Sequence, residues 1–126
     1  MSKIQRIDTP NAPAAVGPYS QAMATDSLVY TSGQLGINPA DKAMPEAVRE
    51  QAALCLDNVK AVLEAAGSGL DKVLKVTVFL TNMDDFAAVN EIYAEFFSQP
   101  YPARSCFAVK TLPLGAKVEI EAVAAR

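Results

Sequence analysis

Residues 102–124, P-A-R-S-C-F-A-V-K-T-L-P-L-G-A-K-V-E-I-E-A-V-A, set the tightest limit on the fold. Residues 103–111 and 116–124 both alternate in polarity, and Leu112-Pro113-Leu114-Gly115 between them carries turn chemistry. The pattern predicts two strands joined as a hairpin. Strand side chains point to alternate faces. Arg104, Cys106 and Ala108 therefore share one face of the first strand, and Ser105, Phe107 and Val109 the other. In the second strand Val118, Ile120, Ala122 and Ala124 form an apolar face, with Lys117, Glu119 and Glu121 on its reverse. Each strand concentrates ionisable groups on one face at mid-strand. Arg and Glu are seldom fully buried unless paired, so this face either meets solvent or lines a site.

The rest of the chain supplies the layer against which these strands pack. Residues 3–8 alternate weakly, as an edge strand would. Residues 9–18 hold Pro10, Pro13 and Pro18 with Asn11 and Gly17, a loop composition. Residues 19–24 and 28–32 predict a hairpin around Thr25-Asp26-Ser27, followed by a loop over 33–44. From Pro45 to about Ala66, apolar residues recur at three- and four-residue steps (Val48, Ala52, Cys55, Val59, Val62), the period of a helix, and Gly67 suits its stop. Residues 73–80, V-L-K-V-T-V-F-L, form the most β-branched strand, with Leu74, Val76, Val78 and Leu80 on one apolar face. Thr81 or Asn82 can cap a second helix carrying Phe86, Val89, Tyr93 and Phe96 on one stripe. The prolines of 99–102 predict extended chain.

Two helices cannot cover both faces of a sheet of about six strands. The order predicts an α+β domain with both helices on one face. The uncovered face, which includes Thr77 and Phe79, is too polar for a core and too apolar for free surface. That points to symmetric self-association through it.

The bulk numbers narrow the chemistry. A chain of 126 residues with 51% hydrophobic and 20% charged residues is expected to be one globular domain, 1–126. The net charge is −3, and the 11 basic residues are scattered, which argues against a nucleic-acid footprint. There is no histidine, which removes Ser-His-Asp and Cys-His nucleophile pairs and His-based zinc sites. Cys55 and Cys106 offer neither metal-ligand spacing nor a disulfide framework, so a reducing compartment is expected. No signal-like segment and no membrane-spanning run is present, and a cytoplasmic protein is the expectation. Gly33-Gln34-Leu35-Gly36 is too short for a phosphate loop. Catalysis is left to Arg, Lys, Glu, Asp, Tyr, Ser, Thr, Cys or backbone groups.

With these elements placed, the sequence closely resembles the RidA family, the YjgF-type reactive-intermediate deaminases. The matching stretches are A-P-A-A-V-G-P-Y-S-Q (12–21), Y-T-S-G-Q-L (30–35), D-N-V-K-A-V-L-E-A-A-G (57–67), V-T-V-F-L (76–80), D-F-A-A-V-N (85–90), P-A-R-S-C (102–106) and V-E-I-E-A-V-A (118–124). The resemblance implies a chorismate-mutase-like α+β fold and a homotrimer whose sheets line an inner barrel, with sites between subunits. It implies hydrolysis of 2-imino acids, the tautomers of enamines, to 2-oxo acids and ammonia. No cofactor and no metal are implied, and the ligands are small carboxylates rather than membranes or nucleic acids. By motif position it marks Tyr19, Ser32, Gly33, Asn90, Arg104, Cys106 and Glu119. The alternative is a protein of the same fold that senses 2-oxo acids without turnover; Arg104 alone would serve it, whereas Arg104 with Glu119 favours the enzyme. RNA cleavage, linked to some relatives, fits poorly with the acidic balance and absent histidine.

Each residue has a functional and a plain structural role to weigh. Arg104 can hold a carboxylate through two parallel hydrogen bonds, or form an ion pair between subunits. Glu119 can act as general base on a water, with Glu121 on the same face opposing its ionisation; the plain role is a salt bridge. Cys106 has no histidine to activate it, so its backbone N–H and small size are expected to matter, not its thiolate. Gly33 offers close backbone approach, or only a turn. Ser32 and Asn90 can hydrogen-bond the site or merely cap backbone, and Tyr19 can wall the pocket or pack in the core. Phe86, Tyr93, Phe96 and Cys55 read as core.

Overall fold

A computed structural model describes residues 3–126. The strands are β1 (Gln5–Ile7), β2 (Ala22–Ala24), β3 (Leu28–Thr31), β4 (Gln34–Leu35), β5 (Val73–Leu80), β6 (Ala103–Ala108) and β7 (Val118–Ala125). The helices are α1 (Val48–Ala65) and α2 (Phe86–Phe96). One mixed sheet runs β1-β2-β3-β7-β5-β6, with the two-residue β4 also paired to β7. The expected α+β layout of two helices and about six strands holds, with β4 as a seventh.

The apolar alternation decides which strands are central. On β7, Val118, Ile120, Ala122 and Ala124 are buried, as are Val76, Val78 and Leu80 on β5. These faces pack beneath α1, whose Leu56, Val59, Val62 and Leu63 are fully buried. Each such Leu contributes about 1.5–3 kcal/mol by leaving water. α2 in turn packs against α1.

The hairpin expected between residues 103 and 124 does not form. β6 pairs in parallel with β5, and β7 pairs antiparallel with the other side of β5, so β5 lies between them. Parallel strands need a crossover, and α2 supplies it between β5 and β6. The 112–115 segment is still a turn, with Leu114 at φ 58° and Gly115 at φ 68°. It carries the chain past the end of β5, where Val109 N–H donates to the Leu80 carbonyl and Thr81 N–H to the Lys117 carbonyl. Alternation reports which face a residue takes, but not which strand lies beside it.

Smaller departures have local causes. Leu74 is 52% exposed, because a register shift between Val73 and Lys75 drops it out of the alternation. α1 starts at Val48 rather than Pro45, since the Pro45 carbonyl instead accepts from Gln51 Nε2 at 2.8 Å. β2 starts at Ala22 rather than Tyr19, as the chain just before it is loop held by the Gln21 side chain. The chain bends at Gln99–Pro100, a cis peptide, where extended chain was expected. Asn82 does cap: its Oδ1 accepts from Asp84 N–H at 2.9 Å and starts the turn that enters α2.

Candidate active site

Register through β5 fixes the sides on which the candidate residues lie. Arg104 sits opposite Val76, and Val76 opposite Ala122, so Arg104 shares the helix-covered face. Glu119 sits opposite Phe79, and Phe79 opposite Phe107, so Glu119 shares the uncovered face. The candidates therefore form two groups on opposite faces of one sheet, not one cluster.

The first group lies at the β6 edge beneath α2. Arg104 Nη1 donates to Asn90 Oδ1 at 2.7 Å. Its guanidinium carbon lies 4.7 Å from the centre of the Tyr93 ring and 5.7 Å from that of Phe86. A groove of about 390 Å³ opens there, lined by Asn90, Tyr93, Ala94, Tyr101, Pro102 and Arg104. Among the described residues Arg104 makes no ion pair; the pairs are Arg49–Glu91 and Lys117–Glu46. A half-buried guanidinium with one neutral acceptor has free N–H groups and an unmatched charge, the make-up of a carboxylate site. Cys106 follows on the same face; burial pushes its thiol up while Arg104 pulls it down, and the net shift is upward. The thiol is therefore protonated at neutral pH, which does not suit a nucleophile.

The second group lies where β3 gives way to β4 along β7. Gly33 is set against Glu119: a Cβ there would run into the Glu119 carboxyl, so any side chain at this position would push the Glu119 side chain aside. Ser32 Oγ donates to the Ser20 carbonyl at 2.6 Å, tying this step to the 9–21 loop. Tyr19 Oη accepts from Val16 N–H at 3.4 Å, and its half-exposed ring covers the loop end. Tyr19, Ser32, Gly33, Glu119 and Glu121 line one open groove of about 1100 Å³. Burial, and then the neighbouring Glu121 charge, push the Glu119 carboxyl above the usual carboxylate range. A base of raised pKa is better matched to proton transfer near neutrality.

Three buried amides that frame this groove were not singled out in the sequence. Gln21 accepts from Thr9 N–H at 2.7 Å and donates to the carbonyls of Thr9, Ala12 and Pro13. Asn58 donates to the carbonyls of Leu35 and Ile37. Gln51 accepts from Lys117 N–H at 2.9 Å, close against Gly36. Gln51 and Asn58 had a signal: they fall on the α1 stripe with Cys55 and Val62, where only apolar residues were counted. Tyr93, read as core, is both core and the platform under Arg104.

Among the described residues no group of three or more His, Cys, Asp or Glu could hold a metal. Among the described residues no helix is long and apolar enough to cross a membrane. The two grooves open on opposite faces of a small α+β domain. The chain belongs to the RidA family: residues 9–126 match the family model described as Endoribonuclease L-PSP. It is 54% identical over 121 residues to the RutC family protein y4sK of Sinorhizobium fredii, covering 95% of this chain and 96% of that protein. It is 47% identical to the 2-iminobutanoate/2-iminopropanoate deaminase of Escherichia coli K12, covering 95% and 96% of the two chains. The crystal structure of E. coli TdcF with bound serine aligns with a TM-score of 0.93 at 46% identity, covering 97% of this chain and 98% of that one.

Proposed function

We propose that the chain is a cofactor-independent deaminase that hydrolyses 2-imino acids such as 2-iminobutanoate and 2-iminopropanoate to 2-oxo acids and ammonia. The named activity of the E. coli relative supports the reaction. The observation that carries the site is the split between faces: Arg104 and Glu119 of one chain look to opposite sides of the sheet. They can serve one substrate only if Arg104 of one copy meets Glu119 of another. The partly apolar open face, where Phe79 and Phe107 stack edge to face at 5.3 Å and Phe107 is 46% exposed, is a surface on which copies can meet. A homotrimer with sites between subunits satisfies both demands. Both cysteines are free, which supports a reducing, cytoplasmic setting.

In this reading Arg104 holds the substrate carboxylate through a two-pronged hydrogen bond, with Asn90 fixing the guanidinium. The imine carbon is already electrophilic, so the protein has to orient it and place one water. The Glu119 carboxylate takes a proton from water as the water oxygen bonds to the carbon of the protonated imine, and the C=N π pair moves to nitrogen. Glu119 then gives that proton to the nitrogen of the carbinolamine. The C–N bond breaks as the hydroxyl returns its proton to the Glu119 carboxylate, and ammonia leaves the 2-oxo acid. Ser32 and Gly33 bring backbone close to the Glu119 carboxyl, and Tyr19 walls the cleft. Cys106 contributes its small size and backbone.

A dehydratase that releases the enamine in situ tests this directly. Wild type is expected to accelerate 2-oxo acid release, and Arg104→Ala to lose about 100-fold or more of kcat/KM through the lost charge-assisted bonds. If wild type does nothing above buffer yet still binds 2-oxobutanoate through Arg104, the cleft is a sensor site and the hydrolase reading falls.

A further inference from the structure

The Arg104 groove contains a residue that nothing above requires for the chemistry. Tyr93 is 5% exposed and sits in the last turn of α2, tilted on Phe97 with ring centres 4.6 Å apart. Its hydroxyl is buried and has no hydrogen-bond partner among the described residues. Its other contact is with Arg104: the guanidinium carbon stands 4.7 Å over the ring centre. Asn90, one helical turn earlier, holds Nη1 of the same guanidinium at 2.7 Å. A planar cation fixed by an aromatic face and one hydrogen bond has lost most of its rotational freedom.

We propose that Tyr93 is a positioning residue: its ring, acting with Asn90, locks the Arg104 guanidinium so that its free N–H groups face the groove ready for a carboxylate. The inference rests on the reading of Arg104 as the carboxylate-binding group. It extends that reading by assigning the affinity of the site partly to a residue that need not touch substrate. A long flexible arginine would otherwise lose rotamer freedom each time it bound ligand; held in place beforehand, it loses little. The ring, not the hydroxyl, performs this role.

The test compares Tyr93→Phe, which keeps the ring, with Tyr93→Leu and Tyr93→Met, which remove it; Met, the more adaptable filler, covers the case in which Leu does not fold. Two readouts are taken on the full assembled protein. The first is KM and kcat in the coupled assay, together with 2-oxobutanoate binding by calorimetry. The second is the Arg104 Nε–Hε NMR resonance, assigned by its loss in Arg104→Lys. The expected result is that Tyr93→Phe stays within about twofold of wild type. Loss of the ring should weaken KM and 2-oxobutanoate binding about tenfold, with kcat changed less than about threefold. The Arg104 resonance should lie under the ring current in wild type and Tyr93→Phe and move away in Tyr93→Leu or Tyr93→Met. An unmoved resonance with unchanged binding in the ring-less variants would overturn the proposal, as would a loss in Tyr93→Phe equal to that in Tyr93→Leu. Wild type that neither turns over nor binds 2-oxobutanoate defeats the functional reading instead, and the resonance still decides whether Tyr93 holds Arg104.

Discussion

The Arg104 groove and the Glu119 groove are built by opposite means. Arg104 is held by side chains of one helix: Asn90 at 2.7 Å and the Tyr93 and Phe86 rings. Glu119 stands on a central strand, but its walls are loops, pinned by the buried amides of Gln21, Asn58 and Gln51. In the proposed function the first place would present a fixed charge to a small anion, and rigid secondary structure suits that task. In the same proposal the second would need room for substrate and water beside a carboxyl that burial makes reluctant to ionise. Loops tied by amides give that room while sparing the core strand beneath.

The largest effect that separates the two is expected at Glu119. Glu119→Gln should lower kcat by about 100- to 10,000-fold, the range for losing a general base, while 2-oxobutanoate binding through Arg104 persists. Its carboxyl is raised in the folded state, so the folded protein binds a proton more tightly than the unfolded chain does. Stability therefore falls as pH rises from the ordinary carboxylate range through the raised value. Thermal melts should show Glu119→Gln matching wild type below pH about 4 and exceeding it at pH about 7 to 8. The acidic limb of kcat/KM should lie above the ordinary carboxylate range in wild type and vanish in the variant. If Glu119→Gln instead loses ligand binding as fully as turnover, the two grooves do not divide the work as described.

A middle-sized effect is expected from Gln21→Ala. It removes four hydrogen bonds that hold residues 9–13, including Pro13 on the Glu119 groove. Unsatisfied backbone in this loop should cost about 2–3 kcal/mol in denaturant unfolding, with kcat reduced and ligand affinity nearly retained. Equal losses in kcat and affinity would show that the two grooves are not independent. The smallest effect is expected at Cys106: Cys106→Ala should keep kcat within about threefold, since its thiol is held protonated. Abolished turnover in a well-folded Cys106→Ala would restore the thiol to the chemistry.

How far the sequence could be read follows from what alternation encodes. Periodicity alone placed β5, β7, α1 and α2, because each buries one regular face. It could not show that β5 lies between β6 and β7, since strand neighbours depend on the crossover through α2. That one gap hid the division of the site: a hairpin would group Arg104 with Glu119, whereas the pairing through β5 sends them to opposite faces. Leu74 was misread because a register shift breaks the two-residue period without leaving a Gly or Pro mark. Gly33 was legible as a close approach, but only the fold shows that the Glu119 carboxyl fills the space. Gln21 carried no periodic signal, because its role is to replace a missing ladder with side-chain bonds.

If Arg104 and Glu119 act together across two copies of the chain, inactive variants of the two should complement each other. Arg104→Ala and Glu119→Gln would be purified separately, then dissociated together and reassembled as mixed oligomers. A site formed by intact Arg104 of one copy and intact Glu119 of its neighbour is whole again, and random 1:1 mixing yields about a quarter of all sites in that form. 2-Imino acid hydrolysis, lost in either variant alone, should return to about that fraction of wild type. Mixed oligomers that assemble fully yet stay as inactive as their parents would contradict it.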